Sequence, residues 1–284
     1  SEQLFSTLLH RPFKGPHGHW DGMSFVCWQA GQPVLIDCGG PYKYSTPLRY
    51  KYFQTQLAHN SLIFDRTPVR LLTRFLDSAE RPGLAAVMLA ADMGANKAWI
   101  RVFGQFEGKA AFALDLPLSA DPASRPEVRF HLDPELAIET AEDGSTRILR
   151  PGLTEARLSQ QSFALDAGAA AALLGRLQPV PIKDLPGEYV TPEERERVGL
   201  AADFDERSYV TYKDNQYVEG RVLLHEVPVN AVTATLLSFA PGVRLSVATT
   251  GEHCAVVLTE DGQKIASLML DLAQLRLTDL ERAD

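Results

Sequence analysis

Short runs of β-branched and aromatic residues, separated by glycine, proline and aspartate, follow one another along most of the chain. Such runs predict strands joined by turns. The clearest are a hairpin over residues 24–30 and 34–37, broken at Gly31-Gln32-Pro33, and a second hairpin over residues 255–270 that turns at Asp261-Gly262. Further strands are predicted over residues 61–64, 98–103, 110–114, 127–132, 146–149, 209–212, 221–227, 231–239 and 243–249.

Helical patterns are few. The alanine-rich and leucine-rich residues 166–177 favour a helix, and Thr191-Pro192-Glu193-Glu194 is typical of a helix N-terminus. Residues 69–76 fit either a short helix or a strand. The expected fold is therefore mainly β, a large antiparallel β-sandwich with a few short covering helices.

A loop near residues 178–184 contains two prolines and is the candidate boundary within the chain. It separates residues 1–180, which form the predicted sandwich, from residues 181–284. The second part either continues the sandwich or forms a smaller β lobe.

Composition and charge narrow the choice of partners. The net charge is −8 and the basic residues are scattered, so the sequence lacks the basic patch that a nucleic-acid backbone requires. No apolar stretch approaches the roughly 18 residues that a membrane span needs. The three cysteines, Cys27, Cys38 and Cys254, lack the spacing of a thiolate metal site. A Cys27–Cys38 pair across the first hairpin and free buried thiols both remain open.

Residues 15–65 concentrate the chemistry, with three of the seven histidines. In an extended segment His17, His19 and Asp21 share one face, because alternate side chains point the same way. Imidazole and carboxylate donors suit zinc or another divalent metal, and Asp37 and His59 supply further donors from separate parts of the chain. The alternative is that the histidines near the N-terminus are solvent-exposed and that His59 is a core residue.

Aromatic and basic residues alternate just after this cluster. They are Tyr42, Lys43, Tyr44, Arg49, Tyr50, Lys51 and Tyr52. Aromatic faces and cationic donors suit acidic saccharides, although tyrosines on a sheet also pack against each other. Trp20, beside His19, is equally able to stack on a sugar or to close the loop.

The order of these elements resembles the C-terminal β domain of heparinase II/III-like lyases, a group that includes alginate lyases. The resemblance rests on H-x-H-x-D-x-x-S-F at residues 17–25, a strand ending in Asp37 and Gly39, the Tyr42-x-Tyr44 pair, and an aromatic stretch leading to Ala58-His59-Asn60. Several elements in a fixed order are more specific than any one of them.

The resemblance implies a function as well as a fold. It implies β-elimination on an acidic polysaccharide or oligosaccharide that contains uronic acid, in the periplasm or outside the cell. It implies that His17 and Tyr44 are catalytic, and that a zinc ion held by His19, Asp37 and His59 supports the active-site loops. The residues expected to bind substrate are Tyr42, Arg49, Asn60 and Trp20.

The sequence also departs from the family pattern. Heparinase II/III-like lyases place a helical toroid domain before the sandwich, and these 284 residues show no such domain. We therefore expect that the chain needs a separate toroid for activity, and we leave a homo-oligomer open. Two alternatives are a cupin-like metal-dependent oxygenase or isomerase, in which Asp21 replaces the usual glutamate, and a non-catalytic carbohydrate-binding β domain.

Overall fold

The computed structural model describes residues 4–10, 18–40, 48–69, 72–94, 96–152, 154–177, 208–213 and 216–283. Within these residues strands dominate. They are β1 (Leu4–Leu8), β2 (Phe25–Gln29), β3 (Gln32–Leu35), β4 (Leu62–Phe64), β5 (Leu72–Arg81), β6 (Leu84–Gly94), β7 (Lys97–Phe106), β8 (Ala110–Ser119), β9 (Pro126–Leu132), β10 (Ala137–Thr140), β11 (Thr146–Leu149), β12 (Ala156–Ala164), β13 (Tyr209–Lys213), β14 (Gln216–Glu219), β15 (Arg221–Glu226), β16 (Ala231–Ser238), β17 (Val243–Thr250), β18 (His253–Glu260), β19 (Gln263–Asp271) and β20 (Arg276–Arg282). One α-helix, α1 (Ala167–Arg176), a π-helical turn (Arg49–Phe53) and a 3-10 turn (Gln56–Ala58) complete the described elements.

Three antiparallel sheets account for most of the strands. The first sheet has the order β1-β2-β3-β9-β15, with β4 also paired to β9, and the central sheet has the order β10-β11-β12-β16-β8-β7-β6-β5. The third sheet has the order β17-β18-β19-β20, and β13 and β14 form a separate two-stranded sheet. The expectation of a mainly antiparallel β-sandwich is confirmed.

The central sheet is covered on both faces. Alternate residues of β7 point to opposite cores: Ile100 and Val102 pack with the third sheet, whereas Trp99 and Phe103 pack with the first. Because both faces are buried, the sequence of β7 reads as a nearly continuous apolar run and not as an alternation of polar and apolar residues. Helix α1 adds Leu173 to the core on the side of the third sheet.

The helix predicted over residues 166–177 is confirmed as α1. It begins where the side chain of Asp166 accepts hydrogen bonds from the backbone N–H groups of Gly168 and Ala169, which helix formation leaves without intrahelical partners. Of residues 69–76, whose type was open, residues 72–76 lie in β5. The predicted helix start at Thr191 and the loop near residues 178–184 lie outside the described residues.

Six of the described strands were not predicted from the sequence. They are β1, β6, β10, β12, β14 and β20. Strand β6 illustrates the reason, because it is rich in alanine, which has low strand propensity. It is nevertheless a strand, since it pairs with β5 and β7 along its length and buries side chains in both cores. Tertiary burial therefore overrides local propensity there.

The cysteines are free thiols. Cys27, Cys38 and Cys254 are all buried and none forms a disulfide, so the alternative of buried free thiols holds. A bulge between Cys27 and Trp28 shifts the pairing of β2 with β3, placing Cys27 opposite Leu35. No described helix is long and apolar enough to cross a membrane.

Packing between β7 and β8 leaves no room for a side chain at Gly104. A Cβ atom there would lie 2.1 Å from the ring of Phe112, its partner across the strands. We expect Gly104→Ala to lower the free energy of unfolding by about 1–3 kcal/mol through overpacking. Gly175→Ala in α1 is the matched control, because that position is open and alanine favours helix by up to about 1 kcal/mol. Urea denaturation of both variants measures the difference, and equal stabilities would contradict the expectation.

Candidate metal centre

The site lies on the outer face of the first sheet. Its walls are the loop before β2, the chain that follows β3, and the segment through the 3-10 turn to β4. A small apolar cluster, which includes Cys38, Tyr52, Leu57 and Val210, packs the chain after β3 against the segment that leads to β4. The cluster covers residues of β9 that point away from the core: the ring of Tyr52 lies beside that of His131, and Arg129 donates to the carbonyl of Leu57.

Three predicted metal ligands meet here. One donor atom from each of His19, Asp37 and His59 lies within 4.8 Å of the other two. The Nδ1 atom of His59 is 2.8 Å from Oδ2 of Asp37, and the rings of His19 and His59 lie 5.4 Å apart between centroids. His59 is fully buried, whereas the side chain of Asp37 is 33% exposed, so the cluster is open on one side.

Two glycines shape the positions of these ligands. Gly39 has a φ of +70° and its N–H donates to Oδ1 of Asp37 at 2.8 Å, which orients the carboxylate. A Cβ atom at Gly40 would lie 2.9 Å from Cε1 of His19. The imidazole of His19 therefore rests directly against the backbone at Gly40, where a larger residue would displace it.

The protonation states suit metal binding. Burial lowers the pKa of His19 to about 4, with a further contribution from the neighbouring His59, so its ring is neutral at pH 7. Burial alone would raise the pKa of Asp37, but its interactions with His59 and the N–H of Gly39 outweigh burial and lower the pKa to about 2. The cluster thus offers a neutral imidazole and an ionised carboxylate without first losing a proton from either.

The donor set fits zinc. Two imidazoles and one carboxylate form a common zinc ligand set, and bond lengths of about 2.0–2.2 Å place tetrahedral donors roughly 3–4 Å apart. Because the three donors already lie within 4.8 Å, only small side-chain movements would bring them to that spacing. Three protein donors also leave a fourth position for water or another ligand.

The residues expected to bind substrate are mostly covered. Trp20 is 8% exposed and Arg49 is 5% exposed. The backbone N–H of Trp20 donates to the carbonyl of Gln54 at 2.8 Å, which ties the loop before β2 to the segment after the π-helical turn. Of the two readings of Trp20, the structure favours loop closure over sugar stacking.

Asn60 is fully buried and its side chain serves the protein backbone. Its Nδ2 atom donates to the carbonyls of Phe25 and Ile36, at 2.6 and 2.9 Å, and its Oδ1 atom accepts from the N–H of His131 at 2.6 Å. Strands β2 and β9 and the residue that follows β3 are thereby linked beside His59. We therefore interpret Asn60 as a positioning residue and not as a substrate contact.

The remaining candidates fall elsewhere. His17, Tyr42 and Tyr44 lie outside the described residues. Tyr52 is fully buried, and its hydroxyl donates to Oγ of Ser208 at 3.3 Å, so packing explains this tyrosine. Ser208 also lies 3.0 Å from Nδ1 of His131, which extends a buried polar network beneath the site.

The sequence analysis did not single out two charged residues in the core beneath the site, Arg101 and Asp115. Arg101 and Asp115 are fully buried and paired within strands that otherwise read as apolar. The sequence does contain a signal for this pair. Each of two apolar runs has a single charged residue within it, of opposite sign, and buried charges are rare unless paired.

Comparison with known families identifies the chain. The family model described as heparinase II/III-like, C-terminal, matches residues 7–173, which is more than half of the sequence. The chain belongs to the heparinase II/III-like family. The matched residues include all three ligands of the candidate metal centre, and nothing in the comparisons supports the cupin alternative.

Solved structures show the same fold as this heparinase II/III-like chain. Heparan sulfate lyase HepC from Pedobacter heparinus superposes with a TM-score of 0.66 at 12% identity, covering 94% of this chain and 39% of that one. A heparinase III gene product gives a TM-score of 0.65 at 11% identity with the same two coverages. This chain therefore spans about two fifths of the length of those structures. The comparison with curated proteins gave no match.

The lowered pKa of His19 predicts how stability depends on pH. Without metal, the free energy of unfolding should fall as pH drops from about 6.5 to about 4, because unfolded His19 takes up a proton that the folded protein resists. The variant His19→Gln lacks this group and should lose less stability over that window.

Urea denaturation in the presence of a chelator, repeated across the window, measures both slopes. Burial of His131, which lowers its pKa to about 3, acts in the same direction in both proteins and cancels in the comparison. The stabilisation from Asp37 is lost only at lower pH, between its ordinary value of 3.8 and about 2. Identical slopes for the two proteins would contradict the expectation.

Proposed function

We propose that this chain is the β-sandwich part of a polysaccharide lyase that cleaves uronic-acid-containing polysaccharide by β-elimination, with a zinc ion supporting its active site. Family membership supports the reaction class. The convergence of His19, Asp37 and His59 is the observation that carries the metal site. The proposed location is the periplasm or the cell exterior, where such polymers are met.

Zinc in this site would have a structural task. It would be held by His19, Asp37 and His59, which come from three separate segments, and its charge would fasten those segments together. The chain's own contacts serve the same end, since the Gly39 N–H orients Asp37 and the backbone at Gly40 confines the ring of His19.

β-Elimination requires a base, an acid and groups that stabilise negative charge. A base removes the weakly acidic proton at C5 of the uronate while donors stabilise the charge that develops on its carboxylate. The electron pair then forms the C4–C5 double bond, the bond from C4 to the glycosidic oxygen breaks, and an acid protonates that oxygen. His17, two residues before a proposed zinc ligand, is our candidate for one of these proton transfers, with Tyr44 as its partner.

A second domain completes the proposal. Because this chain spans about two fifths of the solved structures it matches, we propose that a helical toroid supplies the remaining catalytic groups. On this proposal the sandwich alone binds zinc but does not turn over polysaccharide.

Metal analysis tests the zinc site. We expect the purified chain to bind one zinc ion, and His19→Ala to weaken binding by roughly 100-fold or more, because about 10–16 kcal/mol of binding energy is shared among the ligands of a structural site. His253→Ala is the matched control, since His253 is exposed and lies outside the cluster. Competition with a chromophoric chelator gives the affinities. Equal zinc affinity for His19→Ala and the control would remove the proposed site.

An elimination assay tests the reaction. The whole polypeptide as the cell makes it should convert an acidic polysaccharide into unsaturated uronate products that absorb in the near ultraviolet. His17→Ala should lower the rate by about 10²–10⁴-fold, the usual contribution of a general acid or base. His253→Ala should leave the rate unchanged.

The outcome of this assay separates the alternatives. Saccharide binding without unsaturated products, across heparan sulfate, other glycosaminoglycans and alginate, would instead indicate a carbohydrate-binding domain. Full activity in His17→Ala would remove that residue from the mechanism.

A further inference from the structure

Arg101 and Asp115 form an ion pair inside the core between the central and first sheets. They are direct partners across β7 and β8, and both side chains are 0% exposed. The Nε atom of Arg101 donates to Oδ1 of Asp115 at 2.7 Å, and Nη2 donates to Oδ2 at 3.0 Å. The two contacts make a bidentate pair, which fixes the orientation of the guanidinium group.

The remaining donors of Arg101 leave the sheet and reach the site. Its Nη1 atom donates to the backbone carbonyls of Met23 and Asn60, both at 2.7 Å. Met23 lies in the loop that carries His19, and Asn60 directly follows His59. One guanidinium group therefore holds two ligand-bearing segments that are distant in sequence.

The loop at Met23 depends on such a contact. Met23 is fully buried with a φ of +66°, a backbone conformation that costs energy for a residue with a side chain. Its N–H donates to the carbonyl of Leu9, and its carbonyl accepts from Arg101. Surrounding hydrogen bonds thus fix both sides of an unfavourable backbone conformation.

Neighbouring rings hold the guanidinium plane. Its Cζ atom lies 4.5 Å from the ring centroid of Trp99 and 5.1 Å from that of Phe25. The Nε1 atom of Trp99 also donates to Oδ1 of Asp115 at 2.8 Å. A lysine at position 101 would retain the charge but would lack the planar fork that reaches the carboxylate and both carbonyls together.

We propose that Arg101, oriented by Asp115, is a positioning residue that sets the spacing of the His19 and His59 segments and so preorganises the metal centre. The inference rests on the proposed zinc function. A buried ion pair contributes little net stability compared with well-packed apolar residues. The effect of this pair is therefore expected in the geometry of the loops more than in the stability of the sandwich.

Two variants test the proposal, Arg101→Lys and the apolar replacement Trp99→Phe/Arg101→Met/Asp115→Leu. Loss of groups that orient metal ligands typically weakens metal affinity by about 10–100-fold, and we expect a decrease of that size in both variants. In the metal-free proteins, amide hydrogen exchange should become faster over residues 20–24 and 57–61 while β17 to β19 keep their protection.

The matched control is Arg150→Met/Asp133→Leu, which replaces another largely buried pair. Among the described residues its side chains bond Gln32 and Glu135, and none of their hydrogen bonds reaches the segments that carry His19 and His59. This control should keep the zinc affinity and the exchange rates of the parent chain. If the apolar triple variant fails to fold, Arg101→Lys decides the question.

Unchanged zinc affinity together with unchanged exchange over both segments in Arg101→Lys would overturn the proposal. If the parent chain binds no zinc, the proposed function fails, and hydrogen exchange alone then decides whether Arg101 positions the two segments.

Discussion

The hydrogen bonds of Asn60 are the constraint on which the site depends. Its side chain bonds backbone groups of Phe25, Ile36 and His131, and its own carbonyl accepts from Arg101. An unpaired buried polar group costs about 1–3 kcal/mol, so these contacts together leave the segment around Asn60 little freedom. Since His59 precedes Asn60 directly, the backbone that carries its imidazole is held in place, and Asp37 contacts the ring itself.

The central sheet provides the support on which the ligand-bearing loops are positioned. Its two covered faces supply two cores, and only the core shared with the first sheet lies beneath the candidate metal centre. Loops carried by a sheet with one uncovered face would follow the twisting of that sheet and the fraying of its edge strands. Here β7 and β8 also pack against the third sheet, so the hydrogen bonds of Arg101 to Met23 and Asn60 join the loops to a sheet that is covered on both faces.

The sequence was sufficient for the strand-rich class, for helix α1, and for the choice of His19, Asp37 and His59 as a group, because residue types and order carry that information. Residue types and order did not show which of the candidate side chains are exposed to solvent. Trp20 and Asn60 have the chemistry of sugar-binding residues, yet both are buried by segments that pack over them. The alanine-rich β6 likewise becomes a strand through its neighbours and not through its own propensity.

Buried charged side chains are concentrated on one side of the sandwich, the side that carries the candidate metal centre. Among the described residues, the buried charged side chains lie in or beneath the site loops or on the first-sheet side of the core; they are Asp21, Arg49, Arg101, Asp115, Glu127, Arg129 and Asp133. Among the described residues, none of these buried charged side chains lies in the core between the central and third sheets. Packing alone would favour apolar residues on both sides, since burying an ion pair gains little over burying hydrocarbon. Selection for stability therefore does not explain the asymmetry, whereas a need to hold particular loops in a particular arrangement does.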